Sequence, residues 1–152
     1  MPRKKTITWV LIGDGAKAQL YDIVSVVPMR LKAIPGGRFR GTHAGAQAMP
    51  NGKLSKTSEG AGAARQGAGP RNDAHRRQED KFVTRVTAVV NTAAGAKKFD
   101  QIIVVAPPRA LATFRKKYDA TAKLKIKREI RGDWTKLNPA EIQDHLVSHL
   151  NE

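Results

Sequence analysis

The sequence predicts an α/β protein, a mixed β-sheet with helices on its faces. Residues 6–34 alternate or run apolar as strands do, and tight-turn residues divide them. From residue 72 onward, helical and strand periodicities take turns, which implies parallel strands joined by crossover helices. Between these halves lies a glycine-rich stretch with neither periodicity: nine of the 13 glycines fall between Gly36 and Gly69.

Taken in order, Thr6 to Ile12 is β-branched and apolar, and Gly13-Asp14-Gly15 marks a hairpin turn. Ala16 to Val24 follows, with Ala16, Ala18 and Leu20 on one face and Lys17, Gln19 and Tyr21 on the other. Val26 to Ile34 is a third strand; Pro28 within it points to a sheet edge, because proline cannot donate to a ladder. Gly36 to Arg71 carries only Phe39, Met49 and Leu54 as large apolar residues. Such a segment buries too little surface to offset its ordering entropy, so it is expected to be a long, mobile, basic loop.

Asn72 or Asp73 can cap the next helix. Its buried stripe is Phe82, Val86, Val89 or Val90, and Ala93, and Gly95 is expected to end it in a left-handed conformation. Gln101 to Ala106 is a continuous apolar run, the mark of a strand covered on both faces, and Pro107-Pro108 ends it. Leu111, Phe114 and Tyr118 give a short helix. Lys123 to Arg131 reads as a half-exposed strand, with Leu124, Ile126 and Ile130 inward and Lys125, Lys127, Glu129 and Arg131 outward. Asn138-Pro139-Ala140-Glu141 opens a last helix whose stripe is Ile142, Leu146 and Leu150.

The chain has 152 residues, which suits a single domain spanning 1–152. It has no cysteine, which excludes a disulfide scaffold, a thiolate metal site and a cysteine nucleophile. No apolar run nears the roughly 20 residues of a membrane span, and Ile7 to Ile12 is too short for a signal-peptide core, so a cytoplasmic protein is expected. With 28 Lys and Arg against 13 Asp and Glu, the net charge is +15. That excess favours polyanionic partners, nucleic acid first and an anionic membrane surface next. The charge is concentrated. Arg30 to Arg77 holds ten cations against Glu59 and Asp73, a net of +8; Arg115 to Arg131 holds eight against Asp119 and Glu129, a net of +6. The candidate phosphate-binding residues are Arg38, Arg40, Lys53, Lys56, Arg65, Arg71 and Arg76 in the first set, and Lys123, Lys125, Lys127 and Arg131 in the second. One aromatic in the loop, Phe39, gives little means of reading bases.

Catalytic constellations are weak. Gly52-Lys53-Leu54 lacks the Ser/Thr of a P-loop, and Gly60-Ala61-Gly62 has Arg65 where a dinucleotide fingerprint has its third glycine. His145 and His149 stand one helical turn apart, but no third metal ligand accompanies them. Asp14, Asp22, Asp100 and Asp133 lie near strand ends, where turn capping is their expected role. No enzyme activity, metal or cofactor is expected.

Several segments carry a resemblance: Trp9-Val10-Leu11-Ile12-Gly13-Asp14-Gly15-Ala16-Lys17-Ala18, Asp73-Ala74-His75 with Phe82, Ile103-Val104-Val105-Ala106-Pro107-Pro108, and Glu129-Ile130-Arg131-Gly132-Asp133-Trp134-Thr135 with Pro139 and His145-Leu146. Over roughly residues 6 to 150 the chain resembles the bacterial host-attachment protein family. That family is similar to the central domain of archaeal and eukaryotic peptide release factors and of Pelota. The resemblance implies a ribonuclease-H-like fold, a five-stranded mixed sheet flanked by helices and carrying the long glycine-rich basic loop. Release factors hold a Gly-Gly-Gln tripeptide in the loop before the first long helix. Here Gly45-Ala46-Gln47 lacks the middle glycine and Arg65-Gln66-Gly67 has the wrong order, so peptide release is not expected. Docking on the ribosome or structured RNA through the loop is the leading expectation. Attachment to anionic host-surface polymers is the alternative, and a ribonuclease-H-like nuclease the third.

Overall fold

The structure is a computed structural model that describes residues 6–41 and 70–151, with side chains of the first helix given from Asp73. Its elements are strands β1 (Thr8–Gly13), β2 (Lys17–Val26) and β3 (Met29–Arg40), helix α1 (Pro70–Gly95), strand β4 (Gln101–Ala106), helices α2 (Pro108–Lys117) and α3 (Ala120–Lys125), strand β5 (Ile126–Arg131) and helix α4 (Pro139–Leu150). The strands form one five-stranded sheet in the order β3-β2-β1-β4-β5. β1-β2 and β2-β3 are antiparallel; β1-β4 and β4-β5 are parallel. This is the mixed α/β architecture expected of the sequence.

Period-2 alternation sorts the strands' side chains into two cores. On one face Trp9, Leu11, Leu20 and Val104 pack beneath α1, α2 and α3, which contribute Phe82, Val86, Phe114 and Ala122. On the other, Val10, Ile12, Val105 and Ile130 lie beneath Trp134 and the Ile142 and Leu146 stripe of α4. Three helices thus cover one face and a single helix the other. Asn138 caps α4 by accepting from the Glu141 N–H, while Glu141 accepts from the Asn138 N–H, the reciprocal box its sequence specifies.

Five local expectations are corrected. Pro28 lies in the β2–β3 turn, where it costs no ladder bond, and not inside a strand. β3 runs on to Arg40, so the first residues of the expected loop are strand; the rest of it, residues 42–69, lies outside the described residues. Between the pairs Tyr21–Ala33 and Gln19–Arg38, one residue of β2, Leu20, faces four of β3. Residues 34–37 therefore bulge, with Gly36 at φ 78° and Gly37 so close that a Cβ would stand 2.9 Å from Leu20 Cβ.

The first helix begins at Pro70, ahead of the expected cap at Asn72 or Asp73, because proline is accepted in a first turn. The residue with positive φ beyond α1 is Lys97 and not Gly95. Lys123 to Lys125 end helix α3, started by Asp119 accepting from the Ala122 N–H, and Leu124 is 87 % exposed. The alternation Leu-Lys-Ile-Lys imitates a strand here, but the cap and buried Ala122 fix a helical turn.

Candidate nucleic-acid interface

The strands of the two positive segments, β3 and β5, occupy opposite edges of the sheet. Arg30, Lys32, Arg38 and Arg40 lie on β3, all exposed, and Met29–Arg40 contains no carboxylate. Lys127 and Arg131 lie on β5 and Lys123 and Lys125 on the adjoining α3. Four strand spacings of about 4.8 Å put the edges roughly 19 Å apart.

The β5 edge is partly neutralised from within. Glu129 accepts from Arg115 Nε at 2.8 Å and Nη2 at 2.6 Å. Arg128 donates to the His149 carbonyl. A register shift between Ile102 and Ile103 also breaks this strand's alternation. Ile126 packs in the α1 core and Ile130 in the α4 core, so Lys125, Lys127 and Arg131 do not form the single outward row that the sequence suggests.

At the Arg38–Arg40 end of β3 three cations converge, while Arg30 and Lys32 alternate to the other face, where Lys32 is in register with Asp22. Lys17 is in register with Arg40, and Gln19 with Arg38. Directly opposed residues share a face, so these four side chains and Tyr21 stand on the α4 side of the sheet. There the strand ends face the Trp134–Leu137 segment and Ile142 across a half-open cleft of about 240 Å³. Its lining includes Lys17, Arg38 and Arg40 and no carboxylate. Burial pushes the Tyr21 hydroxyl above its usual range, while nearby Arg38 pulls the other way; the phenol is neutral at physiological pH.

The back wall is a buried, packed aromatic cluster. Trp134 is buried, with its ring 5.3 Å from His145 and 5.5 Å from His149. The two histidines that share helical spacing pack on this indole. A Cβ at Gly132 would stand 2.8 Å from Trp134 Nε1, so glycine permits the chain to fold back there. On the opposite face of the sheet, Arg85 of α1 donates a 2.8 Å hydrogen bond to the Arg40 carbonyl and stands 5.4 Å from the Phe82 ring centroid.

Three of the four carboxylates serve as local caps; Asp22 instead lies inside β2, in register with Trp9 and Lys32, because the strand continues to Val26. Asp14 Oδ1 accepts from the Ala16 and Lys17 N–H groups at 2.7 Å. Asp100 accepts from the Ile7 N–H, and Asp133 from Thr135. Among the described residues, no three His, Asp or Glu side chains gather as a metal site would require.

Of the sequence-selected residues, Arg38 and Arg40 meet at the cleft, and Arg76 is exposed on α1. Arg71 belongs to the first turn of α1, and Lys53, Lys56 and Arg65 lie outside the described residues. Sequence reasoning missed Lys17, Tyr21 and Trp134. Alternation placed Lys17 and Tyr21 on one face, but only the tertiary position of α4 leaves that end of the face open.

Fold and charge define a basic α/β domain with a cationic cleft at one sheet edge. The chain belongs to the family described as proteins required for attachment to host cells, which matches residues 9–146. No curated protein matches it. Among solved structures, it is similar to an archaeal translation termination factor, aRF1, at 12 % identity and a TM-score of 0.52. That similarity covers 95 % of this chain and 39 % of the factor's, so the chain spans well under half of that protein's length. No described helix is long and apolar enough to cross a membrane.

Proposed function

We propose that this chain is a non-catalytic, single-domain bacterial protein of the cytoplasm that docks on structured RNA or the ribosome. The observation that carries the reading is the end of the β3 edge: Arg38 and Arg40, joined by Lys17, share one cleft whose lining includes no carboxylate. Such a surface gains affinity by releasing counterions from phosphates. By sequence charge the reading also includes Lys53, Lys56, Arg65, Arg71 and Arg76. Lys123, Lys125, Lys127 and Arg131 make a second, weaker footprint at the far edge. The fold shared with a translation termination factor supports a place in translation. Neither candidate tripeptide has the order of a release factor, so peptide release is not part of the reading.

The test is co-sedimentation with ribosomes across a salt series. If about five phosphates are neutralised, log affinity falls against log salt with a slope near −3.5 to −4.5. Affinity that is flat from low to physiological salt would mean that the charge is only a solvated surface. The family description favours a second reading, direct attachment to anionic polymers on a host cell. Surface exposure on intact cells together with no ribosome association selects it.

A further inference from the structure

We propose that the cleft between the β2–β3 strand ends and the Trp134–Leu137 segment binds one nucleotide unit, a phosphate with a single planar base. The proposal deepens the RNA reading and rests on it for the natural ligand; the anion-binding geometry stands independently.

Two properties of the cleft select this chemistry. Lys17, Arg38 and Arg40 share one concavity that no carboxylate lines. Three like charges so placed repel one another when unoccupied, and a phosphate relieves that repulsion. Arginine adds a planar fork suited to phosphate oxygens. Beside the polar Gln19 and Thr135, the lining carries an apolar and aromatic surface that includes Ile12, Tyr21, Leu137 and Ile142. A bare inorganic anion would leave that surface wet, whereas a base covers it and stacks on a phenol ring.

Size and rigidity narrow the ligand further. About 240 Å³ lies below the roughly 300 Å³ at the low end of small-molecule pockets, which suits one nucleotide with its sugar partly in solvent. The floor is paired strand and the back wall is an indole packed by two histidines, so the site is preformed. Arg85, anchored to the Arg40 carbonyl, holds the strand end in place from the other face.

The same chemistry arises from a free nucleoside monophosphate or from an unstacked residue of an RNA strand. Backbone-amide NMR shifts and tryptophan fluorescence of the full chain separate these sources, with AMP, UMP and a single-stranded hexanucleotide as probes. Trp134 lines the cleft, whereas Trp9 packs in the other core against Phe99, 4.8 Å away, so Trp134→Phe assigns the emission change. The expected result is shifts at Lys17, Gln19, Tyr21, Arg38 and Arg40, and an emission change that Trp134→Phe removes. Tyr21→Ala weakens binding about fivefold or more, and Tyr21→Phe restores it, because the ring and not the hydroxyl stacks. Hexanucleotide binding at least tenfold tighter than mononucleotide assigns the site to a strand; equal affinities assign it to a free nucleotide.

The proposal is overturned if none of the three probes shifts these amides while variant spectra show intact folding. It is equally overturned if sulfate or a heparin fragment shifts them as strongly and Tyr21→Ala changes nothing. Ribosome docking without nucleotide shifts in the cleft removes this proposal and leaves the RNA reading. Nucleotide shifts without ribosome docking do the reverse.

Discussion

The Arg85 guanidinium reaches from α1 to donate a 2.8 Å hydrogen bond to the carbonyl of Arg40, the last residue of β3. One cation thereby fixes the backbone of another. The bond ties the long helix to the cationic edge strand, next to the Gly41 N–H that donates to the Ala16 carbonyl at 2.7 Å. Arg85→Ala should destabilise the protein by about 0.5–1.5 kcal/mol in urea melts. It should also speed amide exchange at Gly41 more than in the central strands. Unchanged exchange at Gly41 would show that the bond does not hold the strand end.

The two edges should differ in RNA binding. Reversing Arg38 and Arg40 to Glu alters exposed strand positions beside the cleft, away from the packed cores. That pair should abolish most salt-sensitive ribosome association. Reversing Lys125, Lys127 and Arg131 should cost less, because a register shift scatters them and Arg115–Glu129 pairing occupies the edge. Both sets should act on all sequences alike, since phosphate contacts carry no base information. A larger loss from the β5 set would place the main footprint on the other edge.

Tyr118 is buried and its hydroxyl finds no hydrogen-bond partner among the described residues. Leaving a buried hydroxyl unsatisfied costs about 1–3 kcal/mol, so Tyr118→Phe should be neutral or stabilising. Burial, with Glu129 nearby, also raises the phenol's pKa far above its usual value of about 10. The unfolded phenol ionises first, so stability intact below about pH 10 declines as pH rises above it. Melting temperatures between about pH 9 and 11 should fall less steeply in Tyr118→Phe than in the parent. Equal slopes would count against this assignment.

Leu124 and Phe114 test where the α2–α3 segment puts its apolar side chains. Leu124 is 87 % exposed and Phe114 is fully buried. Leu124→Ala should change stability by less than about 0.5 kcal/mol. Phe114→Ala should cost about 3–5 kcal/mol. A large loss from Leu124→Ala in urea melts would restore the strand reading of Lys123 to Arg131.

The α4 cap offers a smaller, cleaner measurement. Asn138 accepts from the Glu141 N–H at 2.8 Å, and Glu141 returns the bond at 2.9 Å. Asn138→Ala should cost about 1 kcal/mol. Glu141→Gln should cost less, because a glutamine can still accept from the Asn138 N–H.

The sequence by itself determined the parts whose cause is local. The unbroken apolar runs of β1 and β4 require cover on both sides, and both strands are central. Asn138-Pro139-Ala140-Glu141 satisfies its own helix start, so no distant contact was needed to locate α4. The positive charge and its two segments were equally plain. What the tertiary structure decided was adjacency. Residue spacing does not say that β3 and β5 end on opposite edges, which splits the charge into two footprints. Nor does it reveal an extra residue in β5, which sends Ile126 and Ile130 to different cores although they are four apart. The cleft depends on the same kind of fact. Lys17, Arg38 and Trp134 come from three distant stretches of chain. They meet because strand register, a bulge at residues 34–37 and the single helix on that face are settled by long-range packing, to which local periodicity is blind.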